Sequence, residues 1–541
     1  MDVGETQKKL ATWAKNDPEH RFFDIYHLLY DKNWLYRAYQ AVKSNTGSKT
    51  AGVDGLNMSD FEENLENNLR DLQTSLRNET FTPKPVRRTY IPKGDGRERP
   101  LGIPTIKDRI VQETLRMILE PIYEIDFSQY SYGFRPNRNT MDALQVVKIM
   151  TDEIHKYFWV IDADIKGFFD NVNHQTLEQI IQDRIKDTQI RNTIWKFLKA
   201  GIMEDGNYRH SMLGTPQGGI VSPLLANIYL NELDQWVKQW TNIPRTEKNN
   251  RRRNGKGNWK YVRYADDFLM LCNGDKSETE QMESRLRNYL SNDLELTLSK
   301  KKTELVHVND GFDFLGFHVE RSINGIGEKQ TQITIPKESI KDFREKIYTA
   351  TDKTKDKTSA RARIMALNAV IRGWGNYYRY CWNAASTFNT LDHFIWKRMA
   401  HWLAGKYQTS IKDILSRMDG DRTDIKWSNL TLTKLRKIKT EEYTGKFIKD
   451  HAYLEEETLN RENLPKERPW LGDERDRSGF KDQRIKALER DDWTCMDCGA
   501  NLSDVQPEVH HIKPVRYFSN PNEANKLNNL VSLCASCHNN R

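Results

Sequence analysis

The chain lacks any apolar run of transmembrane length and holds little cysteine. No stretch of about 18 consecutive apolar residues occurs in it, which argues against a hydrophobic helix crossing a bilayer. Residues 1–20, MDVGETQKKLATWAKNDPEH, carry acids early and no apolar centre. No secretory signal or organelle presequence is therefore expected, and the expected setting is cytoplasmic, the cytosol or nucleoid of a prokaryote. Internal repeats and low-complexity tracts are also missing. Six cysteines stand in 541 residues, four of them within the last 47. In a chain without a secretion signal, such clustering points to metal rather than disulfides.

What the chain has is length and charge. At roughly 150 residues per domain, its length fits three or four domains. Lys and Arg exceed Asp and Glu by eight, a modest excess, but it is concentrated: from Arg245 to Arg263 eight basic residues accompany a single acid, Glu247. Such a stretch suits a polyanion, with strongly salt-dependent binding; a solvated basic loop is the alternative.

From Phe22 to Leu76 apolar residues recur at three- and four-residue spacing, interrupted by the turn-rich Ser44–Gly55, so helices are expected there. Residues 81–106, with five prolines and a Gly-Asp-Gly, read as short strands around a tight turn. Lys107–Pro121 reads as an amphipathic helix ended by its proline. Trp159–Ile165 and Tyr261–Cys272 read as buried strands, and Thr176–Ala200 and Lys276–Leu294 as helices packed on them. Pro336–Tyr407 is helical and rich in Trp and Tyr, and a basic, weakly patterned region reaches Pro469 before a terminal Cys/His module. The fold class expected is α+β.

Two sets of carboxylates carry chemistry. WVIDADIKGFFDNVNH places Asp162 and Asp164 on one face of a strand. YVRYADDFLML sets Asp266 and Asp267 between two apolar arms, at the apex of a hairpin. Adjacent ionised carboxylates repel, and a divalent cation would compensate them; solvated turn acids are the alternative. Two Mg²⁺ ions roughly 3.5–4 Å apart, as phosphoryl and nucleotidyl transfer use them, need carboxylates from more than one strand.

Tyr264-Ala265-Asp266-Asp267 with the Asp164 segment resembles the palm of reverse transcriptases. The neighbouring blocks resemble those of group II intron-encoded reverse transcriptases in order: AGVDG (51–55), RPLGIPTIKDRIVQ (99–112), YGFRPNRNTMDAL (132–144), GTPQGGIVSPLLANIYL (214–230), LSKKKT (298–303) and FLGF (314–317). RGWGNYYR (372–379) resembles the thumb or maturase segment of that family. The resemblance implies a right-hand polymerase: a helical extension (1–80), fingers and palm on an antiparallel sheet (81–325), a helical thumb (326–410), a basic DNA-binding region (411–470) and a nuclease module (471–541). It selects Asp164 over Asp162, with Asp266 and Asp267, as the Mg²⁺ ligands, because Phe169 follows at the position of the family's gate against a 2′-OH. It puts Lys93 and Arg99 at the triphosphate, Gln217 and Gly218 against the nucleotide sugar, and Lys302 where it would protonate the leaving pyrophosphate. It makes Arg372, Trp374, Tyr377 and Tyr378 RNA-binding, although such rings equally suit a helical core.

Cys495-x-x-Cys498 and Cys534-x-x-Cys537, separated by 35 residues, have the spacing of a structural four-thiolate Zn²⁺ site. EVHHIKPV between the pairs and NNLVSLCASCHNN around the second resemble an HNH endonuclease. The resemblance implies a ββα module in which His510, His538 and, less directly, Asn529 serve a nuclease metal, and His511 activates water. Family members carry the last helix well past the final histidine, whereas this chain stops at Arg541, so the zinc staple is expected independently of cleavage. The expected partners are a cognate group II intron RNA, target DNA and deoxynucleoside triphosphates, with no membrane. Two rival readings are an RNA-folding cofactor that does not polymerise and a standalone reverse transcriptase.

Overall fold

The computed structural model describes residues 2–92, 98–204, 207–209, 214, 218–323, 327–352, 358–416, 424–427, 429–444, 452–454, 480–502, 507–512, 525–534 and 537. They form two compact units. One comprises Met1–Thr358, Ala366–Arg417 and Thr433–Lys466; the other Ser359–Met365, Met418–Leu432 and Glu467–Arg541.

The first unit opens with helix α1 (Val3–Asn16), α2 (Lys32–Ser44), α3 (Met58–Glu62) and α4 (Leu65–Arg77). Two strands follow, β1 (Val86–Pro92) and β2 (Glu98–Ile103), antiparallel in register Arg87↔Ile103 to Pro92↔Glu98. Residues 93–97 between them, Lys93 included, lie outside the described residues. Helix α5 (Ile106–Tyr123) differs from the helix expected there: it is buried on nearly every side, and Pro121 sits inside it. A proline there removes the N–H that would bond the carbonyl four residues back. That carbonyl, on Met117, instead accepts from the buried Gln7 side-chain amide of α1 at 2.9 Å.

Beyond α6 (Thr140–Met150) comes the sheet that carries the carboxylates. Its strands are β3 (Trp159–Asp164), β6 (Trp259–Tyr264), β7 (Asp267–Cys272) and β8 (Glu304–His307), ordered β6-β7-β3-β8 and antiparallel throughout. Between β3 and β6 run α7 (Phe168–Asn171), α8 (His174–Arg184), α9 (Thr188–Lys199), β4 (Ile202–Glu204), β5 (Asn207–Arg209), α10 (Ser222–Thr241) and α11 (Arg245–Arg253). The single helix expected over Thr176–Ala200 is thus two, because Asp187 interrupts it and caps α9 with its carboxylate. β4 pairs parallel to β1 and ties this region to the β1–β2 hairpin. Helix α12 (Lys276–Asn292) contributes Met282, Leu286 and Leu290 to the core. Residues β9 (Phe312–Phe314), β10 (Phe317–Ile323) and β11 (Lys329–Thr334) make a further antiparallel sheet, and α13 (Lys337–Ala350), α14 (Ala360–Tyr378), α15 (Ala384–Lys406) and α16 (Ile411–Ser416) follow.

In the second unit β12 (Lys426–Trp427) pairs with β13 (Leu430–Thr431). Helix α17 (Phe480–Arg490) packs on an antiparallel pair, β14 (Pro507–His511) and β15 (Leu530–Cys534), around a small core that includes Ala487, Leu488, Leu502 and Leu533. The chain is of mixed α and β class with antiparallel sheets, as the sequence predicts.

Candidate active site

Strand pairing assembles the carboxylates. In the β3–β7 ladder Asp164 stands directly opposite Asp267, while Asp162, two residues back on the same face, stands opposite Leu269 and, across β8, Glu304. The β6–β7 ladder closes on the pair Tyr264↔Asp267, leaving Ala265 and Asp266 as a two-residue turn. Asp164, Asp266 and Asp267 therefore meet at one end of the sheet.

Their electrostatics are those of crowded acids. Burial, then Asp266 and Asp164, push the Asp267 carboxyl up to about 7. Asp266 is raised by burial and by Asp164, against its own backbone amide and the opposing charges of Lys302 and Arg99. Asp162 is pushed up to about 7 by burial, then by Asp267 and Glu304. Lys302 Nζ donates to Asp164 Oδ2 at 2.6 Å. Although partial burial opposes its charge, the Asp164 bond carries that ammonium above its ordinary value. Three carboxylates answered by one bonded lysine form a set of hard oxygen donors with excess negative charge, which fits Mg²⁺.

The turn is built rather than loose. Ala265 takes a left-handed φ of 56°, which for a residue with a Cβ needs support from its surroundings. Arg263 supplies it. Its guanidinium, fully buried, donates to Ala265 O at 3.1 Å, to Asn227 Oδ1 at 3.0 Å and bidentately to Asp234 at 2.7 and 2.6 Å. Asn227 and Asp234 lie two turns apart on α10, hence on one face. Arg263 was counted above with the basic stretch; it belongs instead to the core of the sheet. Its period-two relation to the buried Trp259 and Tyr261 is the sequence signal for that. Arg251 is also engaged, with Glu278 and the Gly257 carbonyl. Arg245, Arg252, Arg253 and Lys256 are exposed.

Around the carboxylates stand other residues singled out in the sequence. Arg99, exposed on β2, pairs with Ile91, and its charge reaches Asp266. Phe169 on α7 is half-buried, edge-on to Phe168 at 5.5 Å. Gly218 takes φ 108°, and a Cβ on it would stand 2.5 Å from Gly102 O, so the chain at Gly218 passes against strand β2 where neither residue has a side chain. Gln217 lies outside the described residues.

The aromatic residues of α14 have partners within the first unit. Trp374 stacks on Phe343 with ring centroids 4.4 Å apart, Tyr377 OH donates to Leu315 O at 2.9 Å, and Tyr378 OH donates to Gly316 O at 3.2 Å. The two tyrosines seat α14 on the turn between β9 and β10, and Trp374 packs it on α13. Tyr378 is buried, whereas Tyr377 keeps an exposed edge and Arg372 is half-buried.

In the second unit the sulfurs of Cys495, Cys498, Cys534 and Cys537 lie within 4.8 Å of one another. The Cys498–Cys534 separation of 3.8 Å is too long for a disulfide. Four convergent thiols from the two Cys-x-x-Cys pairs fit a tetrahedral Zn²⁺ ion. His510 and His511 end β14, and His511 Nε2 lies 2.9 Å from Asn525 Oδ1. The buried Asn529 accepts from Ile512 N through its backbone carbonyl at 2.8 Å. Asn525, which carries no motif signal, thus brings an amide oxygen to the His511 ring. His538 lies outside the described residues.

Comparison with known proteins finds three families along the chain. Residues 91–319 match the reverse transcriptase (RNA-dependent DNA polymerase) family, 340–418 the group II intron maturase-specific domain and 495–541 the HNH endonuclease family. Protein YkfC of Escherichia coli is 39% identical over 363 residues, covering 63% of this chain and 95% of that protein. Group II intron-encoded protein LtrA of Lactococcus lactis is 32% identical over 468 residues, 72% of this chain and 76% of that protein. A 91 kDa protein in the cob intron of Schizosaccharomyces pombe is 28% identical over 588 residues, 94% of this chain and 68% of that protein. With the polymerase match continuing into the two modules that follow it, the chain belongs to the group II intron-encoded proteins, multifunctional chains that join an RNA-directed DNA polymerase and a maturase to an HNH endonuclease.

Proposed function

We propose that the protein binds its own group II intron RNA and assists its splicing, nicks a DNA target with the HNH module, and copies the intron RNA from the new 3′-OH. The register that sets Asp164 opposite Asp267, with Asp266 beside them at the turn, carries this reading. We assign the domains as 1–80 helical extension, 81–325 fingers and palm, 326–410 thumb, 411–470 DNA-binding region and 471–541 nuclease. The setting is the prokaryotic cytosol or nucleoid; among the described residues no helix is long and apolar enough to cross a membrane.

Asp164, Asp266 and Asp267 hold two Mg²⁺ ions, which when bound lower the pKa of the primer 3′-OH and neutralise charge on the phosphates. Arg99 and Lys93 orient the triphosphate, Arg99 from a position whose charge already reaches Asp266. Phe169 closes the sugar pocket against a 2′-OH, with Gln217 and Gly218 along the sugar. Lys302, bonded to Asp164, delivers a proton to the departing pyrophosphate.

In the nuclease module, Cys495, Cys498, Cys534 and Cys537 hold a structural Zn²⁺. His510 and His538, with Asn529 at the edge of the site, hold a hard cation, and His511 takes a proton from water, its ring oriented by Asn525. Arg372 and the exposed edge of Tyr377 meet RNA, with Trp374 and Tyr378 setting the helix that presents them.

The test is primer extension on an RNA template with Mg²⁺ and deoxynucleotides, wild type against Asp266→Ala. Synthesis abolished by the substitution supports the polymerase assignment. Synthesis that survives it removes these aspartates as working residues, and an RNA-bound wild type that makes no DNA favours the RNA-folding cofactor.

A further inference from the structure

Phe134 occupies a position that neither folding nor packing rewards. The chain on both sides of it is fixed. Tyr132 N donates to Arg263 O and Arg263 N donates to Tyr130 O, each at 2.8 Å, so this segment runs along β6 beside the carboxylate turn. Gly133 O accepts from Asn227 Nδ2 at 2.8 Å, and a Cβ on Gly133 would stand 2.4 Å from Ala265 N. On the other side the buried Arg135 donates to Glu124 and to the carbonyls of Ser128 and Ser131. Between these anchors Phe134 is held at φ 59° with half of its surface exposed. A left-handed phenylalanine is strained, and an exposed ring forgoes the burial that would offset the strain.

Among the described residues, the Phe134 ring has its ring contact with Phe169. It stands edge-on to Phe169, centroids 6.3 Å apart and planes at 77°, a favourable aromatic geometry. Phe169 meets the buried Phe168 at 5.5 Å, and Phe168 rests on Tyr229. A steric gate excludes a hydroxyl only if its ring cannot swing away, and Phe169 is itself only half-buried.

We infer that Phe134 is a positioning and specificity residue: it braces the ring of Phe169 and, through the segment that also abuts Ala265, fixes that ring relative to the carboxylate turn. This rests on the reading of Phe169 as the gate. Phe134 would thus help decide whether the enzyme takes deoxyribonucleotides or ribonucleotides.

The experiment compares single-nucleotide incorporation of dTTP and UTP on an RNA template for wild type, Phe169→Ala, Phe134→Ala, Phe134→Gly and Phe134→Tyr, reading the ratio of kcat/KM values alongside Tm. Phe169→Ala should admit UTP. Phe134→Ala and Phe134→Gly should each lower the dTTP preference by about tenfold, equivalent to about 1.4 kcal/mol of discrimination, and Phe134→Tyr should keep it. Glycine tolerates the left-handed backbone, so Phe134→Gly should melt no lower than wild type, which separates selectivity from folding. If Phe169→Ala relaxes selectivity and both small Phe134 variants retain it, the bracing inference is overturned and the gate stands. If Phe169→Ala retains full selectivity, the gate reading fails and the inference fails with it.

Discussion

Single side chains here answer for the behaviour of groups beside them. Lys302 is half exposed, yet its ammonium bonds the carboxylate of Asp164. As the proton donor to pyrophosphate its removal should cost about 10²-fold in rate. Single-turnover nucleotide addition by Lys302→Met is expected to show that loss with little change in KM, and a rate near wild type would reduce the lysine to an ion pair. Arg263 acts from beneath. Replacing it with Met leaves Asp234 buried and unpaired, at about 3–5 kcal/mol, and deprives Ala265 O of its donor. Adding Asp234→Leu to Arg263→Met should restore most of the Tm by removing the stranded charge. Primer extension should stay impaired, because the turn bearing Asp266 remains unsupported.

At the scale of elements, α1 and α5 are joined through a defect. The Gln7 amide replaces the backbone donor that Pro121 cannot provide to Met117 O. Gln7→Leu therefore strands a buried carbonyl, at about 1–3 kcal/mol. In Pro121→Ala the backbone N–H returns, and Gln7→Leu should then cost much less. A double-mutant cycle by thermal melting reads the difference directly, and equal costs in both backgrounds would refute the coupling. Residue spacing discloses a helix over 107–121 but not its burial on nearly every side, nor its continuation through Pro121 to Tyr123. Both follow from what packs around it, since a proline is tolerated within a helix where another group satisfies the freed carbonyl.

The whole chain is an assembly of units with separate cores, and its dependence on metals should divide accordingly. The terminal unit has a small apolar core and four convergent thiols. Few buried residues make a structural ion a large share of its stability. Cys534→Ser is expected to lose one bound Zn²⁺ per chain by elemental analysis and to expose the segment around α17 to protease. Primer extension by the same variant should stay within about two-fold of wild type, because Cys534 and the polymerase carboxylates belong to separate compact units. Loss of extension in parallel with zinc would show that the units fold as one.

The sequence by itself determined the strands that bear the acids, the pairing of four cysteines, and the order of modules. These are local matters: period-two alternation, ligand spacing and motif blocks are all written along the chain. It also separated Asp164 from Asp162 by resemblance; the pairing of Asp164 opposite Asp267 is a matter of strand register. Only the tertiary structure decided that Arg263 is a core residue rather than part of a basic surface, that Asn525 meets the His511 ring, and that Trp374, Tyr377 and Tyr378 seat a helix. In each case the deciding partner is distant in the chain or unmarked by any motif. A side chain's charge or ring is legible from its letter, but whether it faces water, a carboxylate or another ring depends on elements brought together by folding.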